Sequence, residues 1–399
     1  MHGLARHPDN PQFTILAIMM THLTLIVPFS VPPGPGGDGA DEAVADALLR
    51  QLELPALGKL LTRAAPGPRE RHDDPWLRTL PQERWLAARA GLPTDRVPTA
   101  PYMRLADLRQ SDAAAGAAPP SIATDGAWAC LQPVHIHAAR DHLVLVHPDQ
   151  LDLRADEATA LRAAIDELLN ESGIALETPT PARWYLPEAT FGPLEATTPL
   201  RAAGRNIDIW LQAGARARDW RRLQNEIQMT WHDHPVNEAR EAAGRIPVNS
   251  VWLHGGGAMQ AVPRLADTVL ANDTFLTGLA LAGGSRAAAL PARFIDVGQA
   301  DAGPANGSVM ALLEHASESY LAADWHQWLM HMHALDTEWF APALDALADG
   351  RLQALTLVLS GENHFAEFTV RRADLRKFWR GLGARGNWRT LLSDLAMAA

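Results

Sequence analysis

Hydrophobic positions fall into two patterns that alternate along most of the chain: short apolar runs closed by turn residues, and stripes at helical spacing. Leu23 to Phe29 is the first run and ends in a Pro-Gly loop from Pro32 to Gly37. That pattern predicts a strand buried on both faces, as in a parallel sheet. Ala45, Leu48, Leu49 and Leu52, then Leu57, Leu60 and Leu61, recur at helical spacing across Ala40 to Arg63, with Pro55 dividing the segment in two. Thr79 to Gly91 predicts a short helix. Residues 111–121, mostly Ala, Gly, Pro and Ser, predict a long loop or boundary.

The texture then changes. Ala127 to His137 and Leu143 to His147 flank a polar turn and predict a hairpin. Ala158, Leu161, Ile165, Leu168 and Leu169 stripe a helix over Ala155 to Glu171, with Gly173 placed as its C-cap glycine. Ile174 to Leu186 reads as extended. This is a compact α+β unit, expected over 121–220. The expected larger unit takes in 20–120 and 221–399, with residues 1–19 as a disordered extension and Met20 as an alternative start.

In the larger unit, Trp220, Leu223, Ile227 and Trp231 stripe a helix that Pro235 ends. Val248 to Leu253 is a strand running into Gly255, Gly256 and Gly257. Thr268 to Ala282 and Trp325 to Phe340 predict helices, and Leu355 to Leu359 a buried strand. The expected fold class is α/β: a mostly parallel sheet with helices on both faces, plus a smaller α+β domain.

Composition narrows the function. A net charge of −11 gives no basic surface for nucleic acid. Cys130 is the single cysteine, which excludes an internal disulfide and a Cys-rich zinc cluster and fits a reducing, cytoplasmic setting. Phe13 to Phe29 superficially suggests a signal peptide, yet Thr21, His22 and Thr24 interrupt it, and no stretch approaches about 20 uninterrupted apolar residues. No membrane span is expected.

Several stretches carry a family pattern. His234-Pro235-Val236-Asn237, Arg240, Gly244 and Val248 through Gly257 resemble a segment of the archaeal-type cofactor-independent phosphoglycerate mutases, of alkaline phosphatase-like fold. Leu54 to Leu61, and Asp156-Glu157-Ala158 with the helix to Asn170, agree in order. Some divergent bacterial relatives of this kind are labelled regulatory proteins. The resemblance implies an alkaline phosphatase-like core with an inserted domain, two divalent metals such as Mn²⁺ or Zn²⁺ held by Asp and His, and a serine that accepts a phosphoryl group. Metal coordination is what makes such a hydroxyl nucleophilic at neutral pH.

This chain departs from the pattern where the metals and nucleophile belong. The first strand ends in Pro28-Phe29-Ser30 in place of Asp-Gly, and Asp38 lies beyond the loop. Thr79 is the only hydroxyl at the nucleophile stretch. Asp324 and His326 stand where the family has a three-ligand element, and Asn363-His364 stands where it has Asp-His. Ser30 and Thr79 remain as catalytic candidates, and Asp324, His326 and His364 as metal candidates. Gly255, Gly256 and Gly257 offer a glycine turn whose N–H groups would suit a phosphate, although tight chain reversal is the favoured explanation.

Other histidines favour structural roles. His135 and His137 share a strand face. His232 and His234, with Asp233 between them, do not face each other at helical spacing. His326 and His333 are about 10 Å apart along their helix. His331 lies one turn from Gln327. Two functions follow. One is a non-catalytic relative that binds a small phosphorylated molecule or a protein partner in the old cleft. The other is an active mutase or phosphatase with a relocated site built from Asp324, His326, His364 and Asp38 or Ser30.

Overall fold

The computed structural model describes residues 20–34, 40–72, 74, 76–115, 126–140, 142–297, 307–377, 379 and 387–397. Asp38 and the proposed extension lie outside them. Twelve strands are described: β1 Met20–Val27, β2 Ala65–Arg71, β3 Ala127–Ala138, β4 Leu143–Val146, β5 Glu177–Thr180, β6 Arg183–Pro187, β7 Ser250–Ala258, β8 Thr268–Leu270, β9 Arg286–Ala288, β10 Gly307–Leu312, β11 Leu352–Ser360 and β12 His364–Arg371. They form two sheets.

The first sheet has the order β2-β12-β11-β1-β10-β8-β9. β11, β1, β10, β8 and β9 run parallel, and β12 and β2 close one edge antiparallel. β1 lies at the centre of the parallel part, with Leu25 opposite both Ala311 and Leu357. Its apolar run is continuous because both faces are covered. Leu23, Leu25 and Val27 pack toward the helices Pro55–Arg63, Trp325–Leu335 and Ala341–Asp349. Ile26 faces the opposite cluster, under the helices Pro81–Ala90, Thr99–Ala115 and Thr274–Ala282.

The second sheet is antiparallel and comes from the chain between β2 and β8. β3 is its spine, pairing with β4 and β6 along one edge and with β7 along the other. The expected span 121–220 takes in β3 to β6, and the sheet also includes β7 farther along the chain. Trp184, Trp220 and Trp231 fill the core between this sheet and the helix Ala217–His232.

Three sequence expectations change. The helix starting at Thr99 runs to Ala115, well into the stretch read as a loop. Thr268–Leu270 is a parallel strand, and the helix begins at Thr274, where Asp273 Oδ1 accepts the Leu276 N–H at 2.6 Å. That carboxylate caps the helix start, so the apolar run splits there. The helix predicted to end before Pro235 restarts at once: Pro235 is the first residue of Pro235–Ala242, and His234 Nδ1 accepts the Val236 N–H.

Candidate functional site

The positions singled out by the resemblance are largely engaged in holding the fold. Phe29, just past β1, sits at φ 53°, and its carbonyl accepts Trp328 Nε1 at 2.8 Å. Ser30 is fully buried. Its Oγ donates to the Val27 carbonyl at 2.7 Å and its N–H to Ser360. Thr79 Oγ1 donates to the Thr94 carbonyl at 3.3 Å, and the Thr79 carbonyl accepts Arg84 Nη1 at 2.7 Å.

The metal candidates do not assemble. Asp324 is exposed and caps its helix by accepting the Gln327 N–H at 3.0 Å, and His326 is exposed beside it. His364 is buried 4% exposed, with Nδ1 3.1 Å from Asn363 Oδ1 and Nε2 lacking a hydrogen-bond partner. Burial first, then the Arg71 charge, pushes its imidazole down to about 4. Among the described residues no group of three His, Cys, Asp or Glu side chains is placed to hold a metal ion. The described residues therefore do not fit the two-dication centre that the resemblance implies, because such a centre needs several converging anionic or imidazole donors.

The glycine run is part of a strand and not a chain reversal. β7 continues through it, with Gly257 opposite Trp128. A Cβ on Gly255, at φ 69°, would lie 2.2 Å from Thr99 Oγ1. One on Gly256 would lie 2.7 Å from Glu188 Oε1, and one on Gly257 2.6 Å from the Pro98 side chain. Glycine is needed so that β7 can press against the start of the helix Thr99–Ala115.

The residues that carried the resemblance most strongly are also structural. Asn237 Nδ2 donates to the carbonyls of Trp231 and Val248, and Oδ1 accepts the Val248 N–H, all at 2.8 Å. Arg240, 1% exposed, pairs with Glu157 at 2.6 Å and donates to the Leu151 and Ile246 carbonyls. The segment is thus a tie between helices and β7.

The other histidines follow the same rule. His135 Nδ1 contacts the Pro247 carbonyl at 2.8 Å and its ring stacks on His137. His331 bridges Ser319 and Gln327 at 3.1 and 2.9 Å. His232 and Asp233 are exposed.

A different place gathers reactive chemistry. A cleft of about 630 Å³ opens between the two sheets. From the first sheet come Asn272 and Asp273, just past β8, and Leu312 and Glu314 at the end of β10. From the second come Gln132 of β3, the whole Val144–Gln150 stretch, Arg183 of β6 and His254 of β7. Gln82, Glu83 and Leu86 close one side. Ligands of open α/β sheets bind outside the carboxyl ends of the strands, and the cleft occupies that position. Its size is that of a small-molecule site.

Its electrostatics are set by burial. Glu314 is raised to about 8 by desolvation and by the neighbouring Asp273 and Asp149 charges. Asp273 and Glu83 are also raised, each chiefly by desolvation. Glu83 accepts from the Leu80 N–H at 2.8 Å and from Thr198 Oγ1 at 2.7 Å, which partly offsets that burial. His254 is lowered to about 3, again by burial, and is a neutral imidazole. Arg183, the one arginine lining the cleft among the described residues, is held by both oxygens of Asp107 at 2.8 and 2.6 Å.

Sequence reasoning did not single out Glu83, Asp273, Glu314, His147 or His254. A signal existed: Asp273 and Glu314 each stand within three residues of a parallel strand's carboxyl end. It became readable only once Thr268–Leu270 and Gly307–Leu312 were known to be strands.

No protein-family model matches the chain, and no curated protein matches it. Among solved structures, the chain is similar to the PH0037 protein from Pyrococcus horikoshii, with a TM-score of 0.46 and 11% identity over 88% of this chain and 87% of that one. It is also similar to a cofactor-independent phosphoglycerate mutase from Thermoplasma acidophilum DSM 1728, with a TM-score of 0.38 and 13% identity over 94% of this chain and 100% of that one.

Proposed function

We propose that this chain is a divergent phosphoglycerate mutase-like protein that binds a small ligand in the cleft between its sheets and does not transfer phosphoryl groups through a metal pair. One contrast carries the reading. Ser30, Thr79 and Asp324 are engaged in hydrogen bonds that hold the fold, whereas the cleft keeps polar atoms without protein partners. A serine hydroxyl donating to a main-chain carbonyl 2.7 Å away is held as a turn brace, and its proton is committed. The histidine best placed for a residual metal, His364, stands next to a neutral Asn363 and has no carboxylate within hydrogen-bond reach.

The test is metal content and turnover. Purified protein, assayed on a generic phosphomonoester with added Mn²⁺, is expected to carry no stoichiometric metal and to show no hydrolysis above buffer. Stoichiometric metal, with turnover abolished by His364→Ala, would restore metal-dependent phosphoryl transfer.

A further inference from the structure

We infer that the ligand of this cleft is an organic amine, a small molecule that presents one or more ammonium groups to Glu314 and Asp273 and further N–H or O–H donors to His254 and Gln82. The inference rests on the ligand-binding reading above and specifies its chemistry.

The first argument is the balance of charge. Glu83, Asp149, Asp273, Glu314 and Glu318 line the cleft, and Arg183 is the only lysine or arginine among the described lining residues. That arginine is neutralised in place by Asp107, itself 1% exposed and also held by Tyr185 Oη at 2.6 Å. Among the described residues, no other lysine or arginine lines the cleft to receive a phosphate, whose recognition relies on free guanidinium or ammonium groups.

The second argument is independent of the acids. His254 is 2% exposed, and its Nε2 lies 2.8 Å from Gln132 Oε1. That oxygen only accepts, so Nε2 holds the ring proton and Nδ1 is left as a bare acceptor. Nδ1 has no hydrogen-bond partner. Gln82 Oε1, on a residue 4% exposed, is an acceptor in the same condition, and Ser317 Oγ at 5%, which can accept or donate, is unpartnered too. All three residues line the cleft. Leaving a buried acceptor unpaired costs about 1–3 kcal/mol, so several in one cavity imply a donor-bearing occupant. Glu314 agrees with them: among the described residues no side-chain hydrogen bond or ion pair engages its carboxylate.

The cavity, at about 630 Å³, is far larger than a bare ion needs, and Met103, Phe275 and Leu312 add apolar wall for a carbon chain. Among the described residues no three ligands converge on a metal. An ammonium entering beside Glu314 favours its ionised form, so binding releases a proton and tightens as pH rises toward 8.

Isothermal titration of the full chain with putrescine, spermidine and agmatine, at pH 6.5 and 8.5, tests this. At least one amine is expected to bind one-to-one, about tenfold more tightly at the higher pH. Glu314→Gln is expected to weaken that amine at least tenfold and to flatten the pH dependence, while Asp233→Asn, an exposed acid remote from the cleft, leaves both unchanged. Far-ultraviolet dichroism and the thermal midpoint establish that each variant is folded. Binding of 3-phosphoglycerate, with all three amines silent, overturns the amine assignment and leaves a ligand-binding cleft. Stoichiometric Mn²⁺ binding lost in Glu314→Gln overturns it in favour of a metal. Silence of every probe removes both the amine and the ligand-binding reading.

Discussion

Two regions of this molecule, the turn after β1 and the cleft between the sheets, both lie near carboxyl ends of parallel strands, yet they treat polar atoms in opposite ways. At the turn, Ser30, the Phe29 carbonyl and the Ser360 carbonyl close on one another and on Trp328, leaving the His364 imidazole and the buried Ser360 Oγ as the unpartnered groups there among the described residues. In the cleft, His254, Gln82 and Ser317 keep unpartnered polar atoms in a hollow that Glu314 also lines. A polar residue near the expected position is therefore a poor guide to function. What matters is whether protein partners already satisfy it.

The sharpest way to break the comparison is to attack the cation that the cleft does contain. Asp107→Asn strips the buried partner from Arg183 and weakens the bond from Tyr185, and should cost about 4 kcal/mol of stability in urea unfolding. A loss under about 1 kcal/mol, with a gain in phosphate binding, would mean that Arg183 is held for an anionic ligand.

Next in size is Gly255→Ala. The new methyl would sit 2.2 Å from Thr99 Oγ1, on a backbone at φ 69°, and the expected loss is about 3 kcal/mol in the same experiment. A neutral effect on stability together with weakened phosphate binding would return the glycines to the role of an anion cradle.

The smallest effects separate the two regions directly. Ser30→Ala removes one buried hydrogen bond at the turn and should cost about 1 kcal/mol at any pH. Glu314→Gln removes a group whose folded value is raised from 4.5 to about 8. Such a group supports the fold fully below its unfolded value, and that support is lost as pH rises through the folded one. Wild type should therefore lose stability relative to Glu314→Gln between pH 5 and pH 8. Parallel pH profiles for the two proteins would show that Glu314 is not desolvated.

How much of this was legible in the sequence follows from the physics of each element. β1 was legible because burial on both faces writes an unbroken apolar run. Pro55 marked the start of a helix whose first N–H groups are met by Asp336, at 3.1 Å for Ala56 and 2.7 Å for Leu57, a long-range cap that periodicity does not reveal. β8 was hidden because three strand residues precede an equally apolar helix, and periodicity cannot divide such a run. β10 and the antiparallel strands β12 and β2 were not identified at all. The tie built on Asn237 and Arg240 stood out as a pattern, but its structural purpose depends on Glu157 and Leu151, some 80 residues earlier in the chain. The cleft was least legible, since an unpartnered Nδ1 on His254 exists only once β3 has brought Gln132 to its other nitrogen.

The most direct measurement is a crystal structure of the protein soaked with Mn²⁺ and spermidine together, with anomalous diffraction to locate manganese. The account predicts spermidine density against Glu314 and His254 and no manganese peak beside Ser30 or His364. A manganese peak held by those residues, with the cleft free of amine, would contradict it.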